Sequence, residues 1–236
     1  MMQSVTSRPV ACASCDLADI CRLRSIDQER IPKHCRSPEP IRSLSQGAYL
    51  FRAGGRAQYL YAVRHGAFKT VTVSADGEEQ VLGFHLPGDA LALDAIHEGR
   101  HRHDVIALTD SSCCAVPLTR FADQCARLPS LAMATMQLLS REIAEQSARL
   151  DVARGPARRR VLGLLLDLGA RMQRRGFNGT ELRLGMYRRD IASFLDTRIE
   201  TVSRMLRRLQ REGVIGLHGR QISLAARRLL EELPAN

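Results

Sequence analysis

Three cysteines near the amino end have the spacing of a ligand set. Cys12, Cys15 and Cys21 form a C-x2-C-x5-C run within residues 1–40. Three thiolates this close are typical of a metal ion or an iron–sulfur cluster, and a fourth ligand must come from elsewhere in the chain. The candidates for it are the other cysteines, Cys35, Cys113, Cys114 and Cys125. The spacing leaves zinc and iron–sulfur open, although structural zinc sites favour paired C-x2-C knuckles and the sequence has one.

A second set of polar side chains lies near the carboxyl end. Glu200, Ser203 and Arg204 stand at positions i, i+3 and i+4, so they share one face if this stretch is helical. Arginine can donate to O6 and N7 of guanine together, and glutamate can accept from N4 of cytosine. The pattern predicts a helix that reads double-stranded DNA. The alternative for Glu200 is local, because Thr197 and Glu200 have the spacing of a capping box.

The segments around these residues indicate a winged helix-turn-helix. Helical periodicity covers residues 186–195 and 199–212, and a hairpin pattern follows at 214–217 and 221–224. In such a domain the second helix enters the major groove. Its apolar residues should face inward, namely Val202, Met205, Leu206 and Leu209. The neighbouring arginines suit DNA phosphates, namely Arg188, Arg189, Arg207, Arg208, Arg211 and Arg220.

The charge distribution agrees with this placement. Residues 1–153 hold 17 basic and 17 acidic side chains, whereas residues 154–236 hold 18 basic and 8 acidic ones. The whole positive excess therefore lies in the last third of the chain, where it predicts a nucleic-acid surface.

Residues 128–153 predict one long helix that leads into this basic region. Pro129 suits a first helical turn, and Gly155-Pro156 ends the pattern. A heptad seam runs along the helix with small or polar residues in alternate layers, so it would pair only marginally with a second copy. The predicted homodimer interface is Met136, Leu139, Ile143, Gln146 and Leu150. The alternative is a helix that packs only on its own domain.

Residues 41–127 alternate in short runs separated by turns, which predicts a small β-barrel or jelly roll. Asp76-Gly77, between two such runs, is the clearest hairpin signal. His101 and His103 raise the remote alternative of a cupin-like metalloenzyme. The charged residues around them favour a solvated loop instead.

Nothing in the sequence indicates a membrane segment. No stretch of about 18 apolar residues without charges occurs, and residues 1–10 lack the features of a signal peptide. We therefore expect a cytoplasmic protein with no membrane partner, in which cysteines stay reduced.

Three stretches together resemble the CRP/FNR superfamily of bacterial transcription regulators, and within it the FNR branch. They are the cysteine run at 12–21, the sensor-domain motif at 81–90 and the recognition-helix sequence at 200–204, and the likeness extends from Cys12 to about Leu224. The resemblance implies an α+β regulator rather than an enzyme. Its parts would be a cluster-binding segment (1–40), a cyclic-nucleotide-binding-like jelly-roll sensor domain (41–127), a dimerisation helix (128–153) and a winged helix-turn-helix (154–236).

The resemblance also implies roles for individual residues. Glu200, Ser203 and Arg204 would read TTGAT-type half-sites of an inverted repeat. An oxygen-labile [4Fe–4S] cluster, able to convert to [2Fe–2S] in oxygen, would be held by Cys12, Cys15, Cys21 and Cys114, with Cys113 as the alternative fourth ligand. The predicted hairpin would contact RNA polymerase through Asp76, Gly77, Glu78 and Glu79.

Two departures from the family pattern bear on the signal. Gln146 stands where some members carry an acidic residue that opposes pairing in air, so we expect a leakier switch. Cyclic AMP is not expected, because Gly88-Asp89 approximates one part of its site but no Arg-Ser pair follows before Val105. The alternative within the family is a structural zinc site, or another effector in the β domain.

Overall fold

The structure is a computed structural model that describes residues 42–74, 76–153, 155–219 and 221–225. In these ranges the chain has the predicted α+β fold, with a β jelly roll, a long helix and a C-terminal winged helix-turn-helix. No helix in the described ranges is long and apolar enough to cross a membrane. The predicted ligands Cys12, Cys15 and Cys21 lie outside the described residues, as does Cys35.

The jelly roll consists of two four-stranded antiparallel sheets around an apolar core. One sheet has the strand order β1-β8-β3-β6, in which β1 is Arg42–Leu44, β8 is Ser111–Pro117, β3 is Tyr59–His65 and β6 is Ala90–Leu91. The other has the order β2-β7-β4-β5, in which β2 is Tyr49–Phe51, β7 is Asp104–Ala107, β4 is Phe68–Val73 and β5 is Glu79–His85. Two short helices, α1 (Ala95–Glu98) and α2 (Leu118–Arg127), complete the domain.

The predicted hairpin joins β4 to β5. The two strands pair up to Val73 opposite Glu79, and Gly77 takes the left-handed conformation (φ 82°) that glycine tolerates best. The turn closes through the Ser74 amide and the Glu78 carbonyl, which are 2.9 Å apart. The sequence signal therefore predicted both the hairpin and its turn residues correctly.

Helix α3 spans Pro129–Ala153, a length of 25 residues, so it begins and ends within one residue of the prediction. Its first half packs on the outer face of the β8-β3 pair. There Leu131 and Leu138 are buried in a small apolar cluster whose other members are Leu60, Ala62, Val116 and Phe121. This contact attaches the long helix to the jelly roll.

The C-terminal domain has the predicted helix pair and hairpin, together with a strand, Glu181–Arg183, that the sequence did not predict. It contains α4 (Ala157–Arg174), β9 (Glu181–Arg183), α5 (Arg188–Phe194), α6 (Ile199–Arg211), β10 (Ile215–His218) and β11 (Gln221–Leu224). The three strands form an antiparallel sheet in the order β10-β11-β9. Asp196 lies in the turn between α5 and α6 with φ 46°, a left-handed conformation that aspartate tolerates better than most residues.

The two domains share one apolar core. Val71, Val81 and Phe84 of the jelly roll are buried in the same cluster as Leu165 of α4 and Ile191 of α5. Helix α5 packs against β5 in this contact. The domains are therefore successive along the chain but fused in space, which the sequence did not indicate.

Candidate nucleic-acid interface and fourth thiol

Helix α6 has one buried and one exposed face. The predicted inward side chains are buried or packed against the core, namely Val202, Met205, Leu206 and Leu209. On the opposite side Glu200 and Arg204 are exposed and Ser203 is half-buried. The three predicted base-reading side chains therefore lie on one accessible face of the second helix.

The capping alternative for Glu200 is wrong. Helix α6 begins after Arg198, and no side chain caps its first turn. Thr197 instead uses its backbone amide, which donates to the Ala192 carbonyl at 2.9 Å. The Glu200 carboxylate thus stays on the surface, where a base edge could be its partner.

A side-chain contact connects the two helices of the motif. Nη1 of Arg188, the first residue of α5, lies 3.3 Å from Oγ of Ser203 on α6 and donates to it. Arg188 is itself exposed. A cation at the amino end of α5 therefore lies beside the base-reading face.

The arginines predicted to bind phosphates divide into two groups. Arg188, Arg189, Arg207 and Arg211 are exposed, whereas Arg220 lies outside the described residues. Arg208 is held by Glu212, with Nε and Oε1 2.8 Å apart, and Arg158 donates to the other oxygen of the same carboxylate. Hydrogen bonds from Arg158 and Arg208 hold the pKa of Glu212 below its usual value. Of the described arginines predicted to bind phosphates, Arg208 is therefore the one already engaged in an ion pair within the domain.

The two adjacent cysteines of β8 point to opposite faces. Cys113 is fully buried in the jelly-roll core, and burial raises the pKa of its thiol to about 12. A thiol with that pKa is protonated at neutral pH, and the thiolate is the form that binds metals. Cys114 lies on the outer face and is half-buried. Of the two, Cys114 is the one whose side chain faces away from the core.

The start of the described chain lies beside this pair. In strand β1, Arg42 is directly opposite Cys113 of β8, so the chain that carries the amino-terminal cysteines enters the domain there. Cys21 precedes Arg42 by 21 residues. A chain of that length spans up to about 70 Å when extended, so Cys114 is within its reach.

His101 and His103 lie in a loop, as the sequence indicated, but His101 is not solvated and His103 is half-buried. His101 is 5% exposed, and its ring stacks on Phe51 with a centroid distance of 3.7 Å. Burial lowers the pKa of His101 below its usual value. Within the described residues no group of three or more histidine, cysteine or acidic side chains is placed to hold a metal ion. The packing of His101 is that of a core side chain, which leaves the cupin-like interpretation without support.

Asp89, the acidic residue of the partial nucleotide motif, is used by the chain itself. It is 7% exposed, forms an ion pair with Arg171 of α4, and accepts a 2.7 Å hydrogen bond from the Leu86 amide. Arg175 lies 3.4 Å from its other oxygen. Burial would raise the pKa of Asp89, but the two arginines and the amide outweigh it and lower the pKa.

The predicted dimer seam is partly uncovered in the single chain. Met136 and Ile143 expose 55% and 66% of their surface, Leu139 is half-buried and Gln146 is exposed. The side-chain environment of Leu150 lies outside the described residues. Packing on its own domain therefore explains the Leu131 side of α3, but the described residues leave this apolar face largely uncovered.

The four residues of the predicted polymerase contact are all exposed. Asp76, Gly77 and Glu78 lie at the tip of the β4-β5 hairpin, and Glu79 begins β5. Glu79 also forms an ion pair with Lys69 of β4, with 40% of its side chain still exposed. The whole set is thus presented to solvent, and Glu79 in addition takes part in a contact within the chain.

Sequence reasoning missed the polar residues that join the two domains. Lys69 pairs with Asp190 of α5, and Asp89 pairs with Arg171 of α4. Each of these residues is less than 10% exposed. The one available signal was that Lys69 is one of two lysines in a chain with 33 arginines, placed inside an otherwise apolar and β-branched strand.

In this protein a long helix joins a jelly roll to a winged helix-turn-helix, whose reading face is exposed and basic. This architecture defines the class of DNA-binding transcription regulators with a β sensor domain. Residues 41–127 match the cyclic nucleotide-binding domain family, and residues 159–233 match the Crp-like helix-turn-helix domain family. The chain belongs to the CRP/FNR family of transcription regulators.

Curated and solved relatives agree with this assignment. The chain is 32% identical to the fumarate and nitrate reduction regulatory protein of Escherichia coli K12. The aligned 225 residues cover 95% of this chain and 90% of that protein. The Klebsiella oxytoca fumarate nitrate reduction regulatory protein matches with the same identity and coverage. Among solved structures, FixK2 from Bradyrhizobium japonicum has a TM-score of 0.74 at 29% identity, covering 84% of this chain and 98% of that one.

Proposed function

We propose that this regulator responds to oxygen through an iron–sulfur cluster held by Cys12, Cys15, Cys21 and Cys114, and that the cluster-bound form binds DNA as a homodimer. The observation that carries the proposal is the opposite orientation of the two β8 cysteines, with Cys113 in the core and Cys114 outside. The names of its relatives, regulators of fumarate and nitrate reduction, point to anaerobic control.

Cys114 fits the role of the fourth ligand by its place in the fold. It lies on the outer face of β8, one strand away from β1, where the chain with the other three cysteines enters. When bound at these four thiolates, a [4Fe–4S] cluster would supply one property to the protein, lability toward dioxygen. Thiolates on an accessible face suit an oxygen-labile cluster, because the surrounding protein controls how easily solvent and oxidant reach a metal site.

The same face offers a route from the ligand to the long helix. Cys114 pairs with Ala62 of β3, and Val116 follows it on β8. Ala62 and Val116 both belong to the small cluster that buries Leu131 and Leu138 of α3. We infer that holding the amino-terminal segment against Cys114 biases how α3 sits on the jelly roll.

The long helix would then pair with its copy. The exposed side chains Met136 and Ile143 would become buried, together with the remaining seam residues Leu139, Gln146 and Leu150. The seam is short and contains an amide, so the pairing would be marginal and responsive to a small bias. Gln146 donates within its own helix to Glu142, at 3.4 Å, and brings no charge to the seam.

A pair of chains would present two recognition helices to an inverted repeat. Arg204 would donate to guanine and Glu200 would accept from cytosine within a TTGAT-type half-site, with Ser203 between them on the same face. The exposed arginines Arg189, Arg207 and Arg211 would contact phosphates. The exposed hairpin residues Asp76, Gly77, Glu78 and Glu79 would contact RNA polymerase, and Glu79 is also paired with Lys69.

A structural zinc site at the same cysteines is the second candidate. It would use the same thiolates, since Cys114 would suit zinc as well as iron. A cyclic nucleotide is less favoured as effector, because Asp89 is engaged by Arg171 and Arg175. Metal and sulfide analysis separates the first two, as zinc without iron and acid-labile sulfide would support the second candidate.

The test compares two adjacent cysteines. Protein purified without oxygen should contain four iron and four sulfide ions per chain, the content of one [4Fe–4S] cluster, and should bind its operator. Cys114→Ala should lose cluster content and operator binding together. Cys113→Ala, the matched control in the core, should keep both and lose only some stability. Equal cluster content in the two variants would contradict the assignment of Cys114, and a wild-type protein free of iron would contradict the cluster itself.

A further inference from the structure

Lys69 is a charged side chain of the jelly roll that reaches into the DNA-binding domain. It lies on β4, next to the core residue Phe68 but on the opposite face, and is 8% exposed. Its Nζ donates to Oδ1 of Asp190 at 3.0 Å and also to Oε1 of Glu79. The ammonium therefore bridges the β4-β5 hairpin and helix α5.

Asp190 passes this contact on to the helix-turn-helix. The carboxylate is 3% exposed, and its second oxygen accepts a 2.8 Å hydrogen bond from the Tyr187 amide, just before α5 begins. The amino end of α5 is thereby fixed to the jelly roll. Arg188, the first residue of α5, donates to Ser203 on the recognition helix, so the fixed end adjoins the base-reading face.

The charge on Lys69 is maintained by its partners. Burial alone would lower the pKa of the ammonium, but the hydrogen bonds to Glu79 and Asp190 outweigh it and raise the pKa. An aspartate as buried as Asp190 needs such a partner, because an ionised carboxylate left unpaired in a core is strongly destabilising.

The other end of α5 is held by the same hairpin. The Ser193 hydroxyl accepts from the Val81 amide at 2.9 Å and donates to the Glu79 carbonyl at 3.2 Å. Gln80 donates to the Ser193 carbonyl as well. Helix α5 is 7 residues long, so both of its ends are attached to β5 and the hairpin, which opposes rotation of the motif against the jelly roll.

We propose that Lys69 is a positioning residue for DNA recognition: by fixing α5 to the jelly roll through Asp190, it sets the distance between the two recognition helices and so the half-site spacing that the dimer accepts. The inference rests on the proposed function, since it requires paired chains on an inverted repeat. Half-sites in such operators lie about one helical turn apart, so a loosened domain would tolerate a wider range of spacings.

The test measures spacing preference rather than affinity alone. Anaerobic wild-type protein is titrated with three operators, one with the preferred spacing and two with one base pair added or removed, and with a single half-site. Lys69→Met leaves Asp190 charged and unpaired, so the double variant Lys69→Met with Asp190→Asn is its matched control. The double variant removes the Lys69–Asp190 bond between the domains without leaving a lone buried charge. The side-chain amide oxygen of the new asparagine can still accept from the Tyr187 amide.

The wild type should prefer its spacing, and both variants should lose about tenfold of that preference, the effect of one hydrogen bond between charged groups, with half-site affinity unchanged. Recovery of thermal stability in the double variant without recovery of the preference separates positioning from folding. Ser193→Ala introduces no unpaired charge and should lower the spacing preference by a smaller factor. It provides the test if neither Lys69 variant folds.

Two outcomes would overturn the inference. Folded variants that keep the wild-type spacing preference would show that Lys69 and Ser193 do not set it. A wild type that binds the half-site but has no spacing preference would remove the paired reading itself, and the proposed function would fail with it.

Discussion

The jelly roll has two contact faces, and they differ in kind. Toward α3 it offers a small apolar cluster around Leu131 and Leu138, and the far side of that helix stays exposed. Toward the winged helix-turn-helix it contributes to a shared core and to two buried ion pairs, Lys69–Asp190 and Asp89–Arg171. The weak face is the one beside Cys114. Under the proposed function we therefore expect the switch to act on the pairing of chains, while the DNA-binding domain stays attached to the jelly roll.

The largest effect is expected from breaking an ion pair at the contact between the jelly roll and the winged helix-turn-helix, the strong face. Arg171→Met leaves Asp89 buried with the more distant Arg175 as its remaining charged partner, and removing one member of a buried ion pair costs about 3–5 kcal/mol. Urea unfolding should show the loss. Arg159→Met, exposed near the amino end of the same helix, is the control and should stay within about 0.5 kcal/mol of wild type. Equal stability of the two variants would contradict the strong attachment.

The weak face is tested by Ile143→Ala. Ile143 exposes 66% of its surface in the protomer, so the change should barely affect folding but remove about 1–2 kcal/mol of pairing energy from each chain. The dimer Kd should rise roughly tenfold or more in anaerobic sedimentation. Gln137→Ala, also exposed on α3 but off the seam, should leave the Kd unchanged. A Kd that responds equally to both changes would refute the seam.

A change on the reading face should affect neither contact. Arg204→Ala should cost about 1–3 kcal/mol of discrimination against the wrong base while stability and pairing stay as they were. Arg207→Ala, an exposed neighbour, should weaken binding to all sequences and lower the salt dependence by about one ion. If Arg204→Ala weakened all sequences equally, the residue would be a phosphate contact instead.

The smallest effect is a pH dependence of the strong face. The pKa of Asp89 is lowered in the folded state, so its contribution is complete above its unfolded pKa of about 3.9 and is lost as the pH falls through the folded value. The wild type should therefore lose stability below about pH 4. Asp89→Asn should be less stable at neutral pH and show a shallower acid limb, whereas an identical limb in both proteins would exclude Asp89 as its source.

The sequence predicted features that depend on local pattern. The Asp76-Gly77 hairpin, the long helix from Pro129 and the inward face of α6 all follow from turn chemistry and periodicity. Helix α2 (Leu118–Arg127) was missed because it follows β8 without a turn residue between them. Short pieces such as β1 and β6 owe their conformation to pairing with distant strands.

Long-range contacts could not be predicted in the same way. Lys69 and Asp190 are 121 residues apart, and neither has a local pattern that points to the other. Strand alternation places one of Cys113 and Cys114 inside, but the packing of the two sheets decides which. His101 was expected in solvent because its neighbours are charged, whereas stacking on Phe51 buries it.

The most direct test of the proposed switch is the sedimentation of cluster-loaded protein before and after air is admitted, with operator binding followed in the same samples. We expect a dimer that becomes a monomer as the iron–sulfur absorbance fades, and that loses the operator at the same rate. A protein that loses its operator while remaining a dimer would place the switch between the jelly roll and the DNA-binding domain, and would exclude a switch that acts through pairing.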